Sequence, residues 1–123
     1  MKKYTLSKKK RLSSNNQFKA ILADGYNARD RLLILYMKRN DCGYPRLGVT
    51  VGKIHGNAVV RNRLKRLMRE AFRQNQDQIP EGFDYLLLIS HKKGKENQPT
   101  FEQVKKSFLS LVDSISKNIT RDR

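Results

Sequence analysis

The residues most able to do chemistry in this chain lie between Asn57 and Arg73. Arg61, Arg63, Lys65, Arg66, Arg69 and Arg73 fall within this stretch, and Glu70 is the one acid among them. Read at helical period, Val60, Leu64, Leu67, Met68 and Ala71 form a single apolar face that must pack on a core. The opposite face then presents a dense array of guanidinium groups. A planar guanidinium grips a phosphate with two parallel hydrogen bonds, which an ammonium cannot do. The stretch therefore predicts an amphipathic helix whose outer face binds phosphates.

Groups for protein-based catalysis are sparse by comparison. His55 and His91 sit in predicted loops without zinc-site spacing, and one cysteine, Cys42, supplies no cluster. His55, beside Gly56 at the helix entry, could touch a phosphate, although a plain loop histidine is the preferred reading. The carboxylates are scattered, with no pair suited to two-metal phosphodiester chemistry. Gly52 and Gly56 flank Lys53, but the G-x-x-x-x-G-K-[ST] phosphate loop is absent. Any reaction this chain assists is expected to be performed by another molecule.

The whole composition points to a polyanion. The 123 residues carry 27 Lys and Arg against 11 Asp and Glu, a net charge of +16. Such an excess exceeds what solubility needs and favours nucleic acid first, an anionic membrane surface second. No run approaches the roughly 18 apolar residues of a membrane span, and the N-terminal lysines precede no apolar signal segment. The lone Cys42, beside Asp41 and Gly43, reads as a turn or surface residue in a reducing compartment. A cytoplasmic location is expected, in one domain covering residues 1–123.

The elements that must position the helix can be read in outline. Residues 1–12 form a basic arm with Lys2, Lys3, Lys8, Lys9, Lys10 and Arg11 and no acid. Ser14 and Gln17 have capping-box spacing before Phe18, Ile21 and Leu22, and Gly25 is placed to stop that helix. Leu32 to Met37 reads as a strand, and Leu47 to Gly52 alternates as a second. The turn signals at Asn40-Asp41 and Gly43-Tyr44-Pro45 predict that these two pair as an antiparallel hairpin. After the arginine helix come a strand over Phe83 to Ser90, a charged loop over His91 to Gln98, and a helix opened by Thr100 and Gln103. The order helix, strands, helix, strand, helix predicts an α+β sandwich with helices packed on an antiparallel or mixed sheet.

A second binding element follows from the strand faces. Tyr36 shares a face with Ile34, and on a matched register that face also carries Gly48, Thr50 and Gly52. An aromatic on a floor of small residues, edged by arginines, could hold an unstacked single strand. From spacing alone, Phe18 and Tyr36 read first as ordinary core residues.

From Asn57 to Phe72 the sequence closely resembles the bacterial ribonuclease P protein family, whose signature is an Arg-Asn-Arg helix, here Arg61-Asn62-Arg63 within Ala58 to Phe72. Further matches are the basic arm with Leu12, Phe18, Ile34-Leu35-Tyr36 and Arg46-Leu47-Gly48-Val49, so the resemblance runs from about Leu6 to the last helix. It implies a four-stranded mixed sheet with about three helices in a two-layer sandwich and a ribosomal-protein-like left-handed βαβ crossover. Chain chirality alone favours a right-handed one.

The resemblance also implies a function. Such a protein is the small subunit of a ribonucleoprotein that removes the 5′ leader from precursor tRNA, while a catalytic RNA subunit holds the Mg2+ ions and performs hydrolysis. The protein alone is expected to be inactive. The leader cleft would use Phe18, Ile34, Tyr36, Thr50 and Lys53, with Asn57, Arg61 and Asn62 at its edge, which reverses the core reading of Phe18 and Tyr36. Arg63, Lys65, Arg66 and Arg69, with Arg61, would serve RNA binding. No catalytic or metal-binding side chain, no membrane and no DNA partner is expected. Leu22 stands where many members carry a second aromatic. Gly52-Lys53-Ile54-His55-Gly56 replaces a common Ser-Lys-Lys-x-Gly run, removing a hydroxyl and a charge. The alternative is a structural ribosomal or general RNA-binding protein with no part in cleavage.

Overall fold

The computed structural model describes residues 11–12, 15–90 and 99–121. The basic arm before Arg11, Ser14 of the first capping box, and the loop with His91 lie outside the described residues. Three helices, α1 (Asn15–Asp24), α2 (Ala58–Gln74) and α3 (Phe101–Arg121), accompany four strands, β1 (Tyr26–Arg29), β2 (Leu33–Arg39), β3 (Arg46–Thr50) and β4 (Phe83–Ile89). The fold is the α+β architecture expected, with a mixed sheet in the order β1-β2-β4-β3.

The predicted hairpin does not form. β2 pairs antiparallel with β4, and β4 pairs in parallel with β3, so β4 lies between the two runs expected to be partners. The physical reason is burial. Phe83 to Leu87 are all buried, Asp84 through its ion pair with Arg46, and Tyr85 to Ile89 form a continuous apolar run that needs cover on both faces and so belongs in the sheet's centre. β3, α2 and β4 thereby form the βαβ unit.

Two helices cover one face. Leu33, Leu35, Met37, Leu47, Tyr85 and Leu87 meet Leu64, Met68, Ala71 and Phe72 of α2 and Val104, Phe108 and Ile115 of α3. Rings of Phe72, Tyr85 and Phe108 stand 5.7–6.2 Å apart in edge-on or tilted contacts, tying α2, β4 and α3 together. The apolar face predicted for α2 is the buried one, with Phe72 added to it.

Among the described residues, α1 and Leu12 cover the other face. Ile21 and Leu12 pack on Leu86, with Phe18, Tyr36 and Leu88 partly buried around them. α1 ends where predicted: Gly25 donates its N–H to Ile21 O at 2.8 Å. At α3 the capping box closes in both directions, Gln103 N–H to Thr100 Oγ1 and Thr100 N–H to Gln103 Oε1.

Candidate nucleic-acid interface

The registers order the open sheet face into two cross-strand rows. Tyr36, Leu86 and Gly48 stand opposite one another, and Ile34, Leu88 and Thr50 form the next row. The face read from the sequence therefore forms at Ile34, Tyr36, Gly48 and Thr50, but β3 ends at Thr50, short of the expected Gly52, and Leu86 and Leu88 of β4 separate its two halves. At a strand spacing of about 4.8 Å, Tyr36 and Gly48 lie roughly 10 Å apart. α1 covers the first row: Ile21 is 1% exposed over Leu86, and Phe18 reaches over Gly48. The second row, with Ile34, Leu88 and Thr50 each half-buried, extends beyond α1 as an apolar floor.

The end of this floor meets the start of α2. β3 runs through Thr50 to a single 3-10 turn over Lys53–His55, and α2 follows at once. Lys53, Asn57 and Asn62 are exposed there, and Ile54 is 76% exposed. Asn57 caps α2, its Oδ1 accepting the Val60 N–H at 3.1 Å. Gly56 takes φ 136°, and a Cβ there would come within 2.9 Å of Val60, so both backbone and space demand glycine. The Arg61 guanidinium bends back to donate from Nε to Gly56 O at 3.1 Å, which holds it at the helix entry. Unpaired N–H groups at a helix start, with their positive dipole end, favour a phosphate.

Along α2 the basic residues divide. Asn62, Arg66, Arg69 and Arg73, at intervals of one turn, line a cleft of about 430 Å³ with Glu70 and, from outside the helix, Arg11. Arg11 joins because its segment extends the sheet: it bridges Leu47 in parallel, and Leu12 N–H donates to Leu47 O at 2.8 Å. Burial and the neighbouring Arg11 both push the Arg69 pKa down, the mark of cations crowded together. Glu70 balances only the far end. The Arg73 fork holds its carboxylate at 2.7–2.8 Å, and this bond draws the Glu70 pKa below the usual carboxylate range.

Arg63 is exposed and Lys65 half-buried, and neither lines this cleft. Asn62, expected at the leader edge, sits on the Arg66 stripe, next to that edge. Arg11, read in the sequence only as part of the basic arm, joins the cleft through strand pairing, and Gly48, read only as a small residue of the floor, turns out to seat the Phe18 ring. Arg73 was visible in the basic face. Leu22 is 47% exposed, one turn after Phe18.

Among the described residues no three His, Cys, Asp or Glu side chains converge as a metal site requires. No helix among them is long and apolar enough to cross a membrane.

Comparison with known proteins shows the family and the fold. The family model described as Ribonuclease P matches residues 6–116. A ribonuclease P protein component from Syntrophus aciditrophicus is 34% identical over 99% of this chain and 100% of its own length. The solved RNase P protein from Thermotoga maritima superposes with a TM-score of 0.74 at 31% identity, covering 85% of this chain and 96% of that one. The RNase P protein from Staphylococcus aureus gives 0.72 at 29% identity, covering 88% and 95%.

Proposed function

Because this chain belongs to the ribonuclease P protein family, we propose that its open sheet face receives the single-stranded 5′ leader of precursor tRNA while its arginine stripe docks on the catalytic RNA subunit. The family role is that of the protein component of a ribonucleoprotein endonuclease acting in tRNA 5′ processing. That role implies an RNA partner and a tRNA substrate.

The observation that carries the leader reading is the floor of Ile34, Leu88 and Thr50 beyond α1, which leads to the N-terminus of α2. A base laid on this floor meets Phe18 and Tyr36 at its back, where an aromatic face can stack on it. The following phosphates meet Lys53, Asn57 and Arg61 and the free N–H groups of the helix start. An apolar floor excludes water from the base, while the cations hold the backbone, so grip is firm and tolerant of sequence.

The stripe of Asn62, Arg66, Arg69 and Arg73, with Arg11, suits a folded RNA, whose closely spaced phosphates need several forks at once. Arg63 and Lys65 extend that contact on either side. With the leader on the floor and the catalytic RNA on the stripe, the scissile bond is brought to the RNA active site. The magnesium ions of the reaction are assigned in this reading to the RNA subunit and the substrate, and hydrolysis with them. The protein's own work is binding and positioning, in the cytoplasm where precursor tRNA is processed.

Reconstitution tests this. The protein alone should cleave nothing, whereas adding it to the cognate RNA should restore precursor cleavage at modest magnesium. Cleavage by RNA-free protein would refute the assignment.

A further inference from the structure

Gly48 sits in a strand conformation open to any residue, since the described glycines with positive φ are Gly43, Gly56 and Gly82. Its need for glycine is one of space. A Cβ at position 48 would lie 2.7 Å from Cε1 and 3.2 Å from Cζ of Phe18, and 3.2 Å from Cβ of Leu12. A glycine inside a strand commonly marks such a close approach.

We propose that Gly48 is a positioning residue that sets the preference for leader-bearing precursor: its missing side chain lets the Phe18 ring sink onto β3 and fixes the height of the cleft's aromatic back wall. This rests on the leader reading above.

The row Tyr36–Leu86–Gly48 explains why. Two full-sized side chains are followed by a step down at the β3 edge, and the ring fills that step. α1 is anchored beside it by Ile21, buried against Leu86. Leu12 meets the same step with its Cβ, and its own N–H is bonded to Leu47 O, so it cannot retreat. An added methyl group must therefore displace the ring. The ring then either swings out over the Ile34–Leu88–Thr50 floor, where a base would lie, or lifts the start of α1. Both outcomes remove the surface on which an unpaired nucleobase stacks. The arginines of α2 lie on a helix packed on the sheet's other face, and the Leu12–Leu47 bond holds Arg11 in place, so the stripe is untouched.

The experiment uses holoenzyme reconstituted from the full chain and its catalytic RNA, with affinities measured for leader-bearing precursor and mature tRNA. Gly48→Ala should lower the preference for precursor by roughly fivefold or more, the low end of one lost base–aromatic stack. The loss should fall on precursor binding, with mature tRNA and the RNA subunit bound as before. Phe18→Leu should lower the preference too, and adding Gly48→Ala to it should cost nothing more, because leucine lacks the ring atoms that the methyl group meets. Equal effects of Gly48→Ala with and without Phe18→Leu would overturn the inference, as would a wild-type preference in Gly48→Ala. If Phe18→Leu keeps the full preference, the leader reading itself fails at Phe18. Should Gly48→Ala not fold, the double variant decides: it is expected to fold and assemble, and its failure to do so also overturns the inference.

Discussion

Leu12 donates its N–H to Leu47 O at 2.8 Å, and this one bond places two neighbouring side chains in different sites. Arg11 lines the arginine cleft on α2, while Leu12, 5% exposed, packs with Ile21 and Leu86 under α1. The edge of β3 thus joins the phosphate-binding surface to the wall of the leader cleft.

Substitutions at these two neighbours should separate. Arg11→Ala should leave the urea melt unchanged and reduce the salt dependence of RNA binding by a slope of roughly 0.7–0.9, the value of one phosphate contact. Arg66→Ala should do the same. Leu12→Ala should instead destabilise the fold by about 2–3 kcal/mol, at the low end of buried leucine truncations because its cluster is small. A salt slope unchanged in Arg11→Ala would remove Arg11 from the RNA contact.

Tyr36 shares the covered row with Leu86 and Gly48 and borders the open row at Ile34. Tyr36→Ala should weaken binding of leader-bearing precursor by about 1–3 kcal/mol, the range for one base stack. Mature tRNA should bind almost as before. Equal weakening for both tRNAs would place Tyr36 outside the leader contact.

Asp84, on β4, accepts a two-pronged bond from Arg46 of the neighbouring β3 at 2.7 and 2.9 Å, and a third from Asn40 Nδ2 at 2.8 Å. Its side chain is 9% exposed and that of Arg46 21%. Asp84→Ala would leave the guanidinium half-buried without its counter-charge. The expected cost is about 2–3 kcal/mol, below the roughly 3–5 of a fully buried pair, read as a lowered urea midpoint. Asp84→Asn should recover part of it, because the amide keeps one oxygen for Arg46.

Asp30 closes the β1–β2 turn. Burial raises its pKa, but the N–H groups of Leu33 and Leu32 and the Ser107 hydroxyl bond its carboxylate and outweigh burial, so the net shift is downward. With a folded pKa below an unfolded value near 3.9, its stabilisation is fully present above about pH 4 and is lost as pH falls through the folded value. Asp30→Asn should flatten this part of the acid unfolding curve. An unaltered curve would show that the carboxylate charge contributes nothing there.

Some elements were legible because their cause is local. The α2 face of Leu64, Met68 and Ala71 repeats at helical period, Asn57 has the side chain a cap needs, and Thr100 with Gln103 has capping-box spacing. β1 escaped notice because Tyr26-Asn27-Ala28-Arg29 is four residues long and carries little apolar signal. The hairpin expectation failed because turn residues between Asn40 and Pro45 specify a reversal, not a partner. The partner of β2 was chosen by the apolar run of β4, which is most stable when covered on both sides.

The sequence by itself determined that this chain carries a basic amphipathic helix meant for a polyanion, because periodicity and charge are properties of neighbouring residues. Only the tertiary structure decided which of those arginines act together and how the cleft is shaped. Arg11 meets the stripe through pairing with Leu47, and Phe18 finds its seat at Gly48. Both depend on contacts between residues far apart in the chain. Such contacts form when strands compete to bury apolar surface, and no local pattern records the winner.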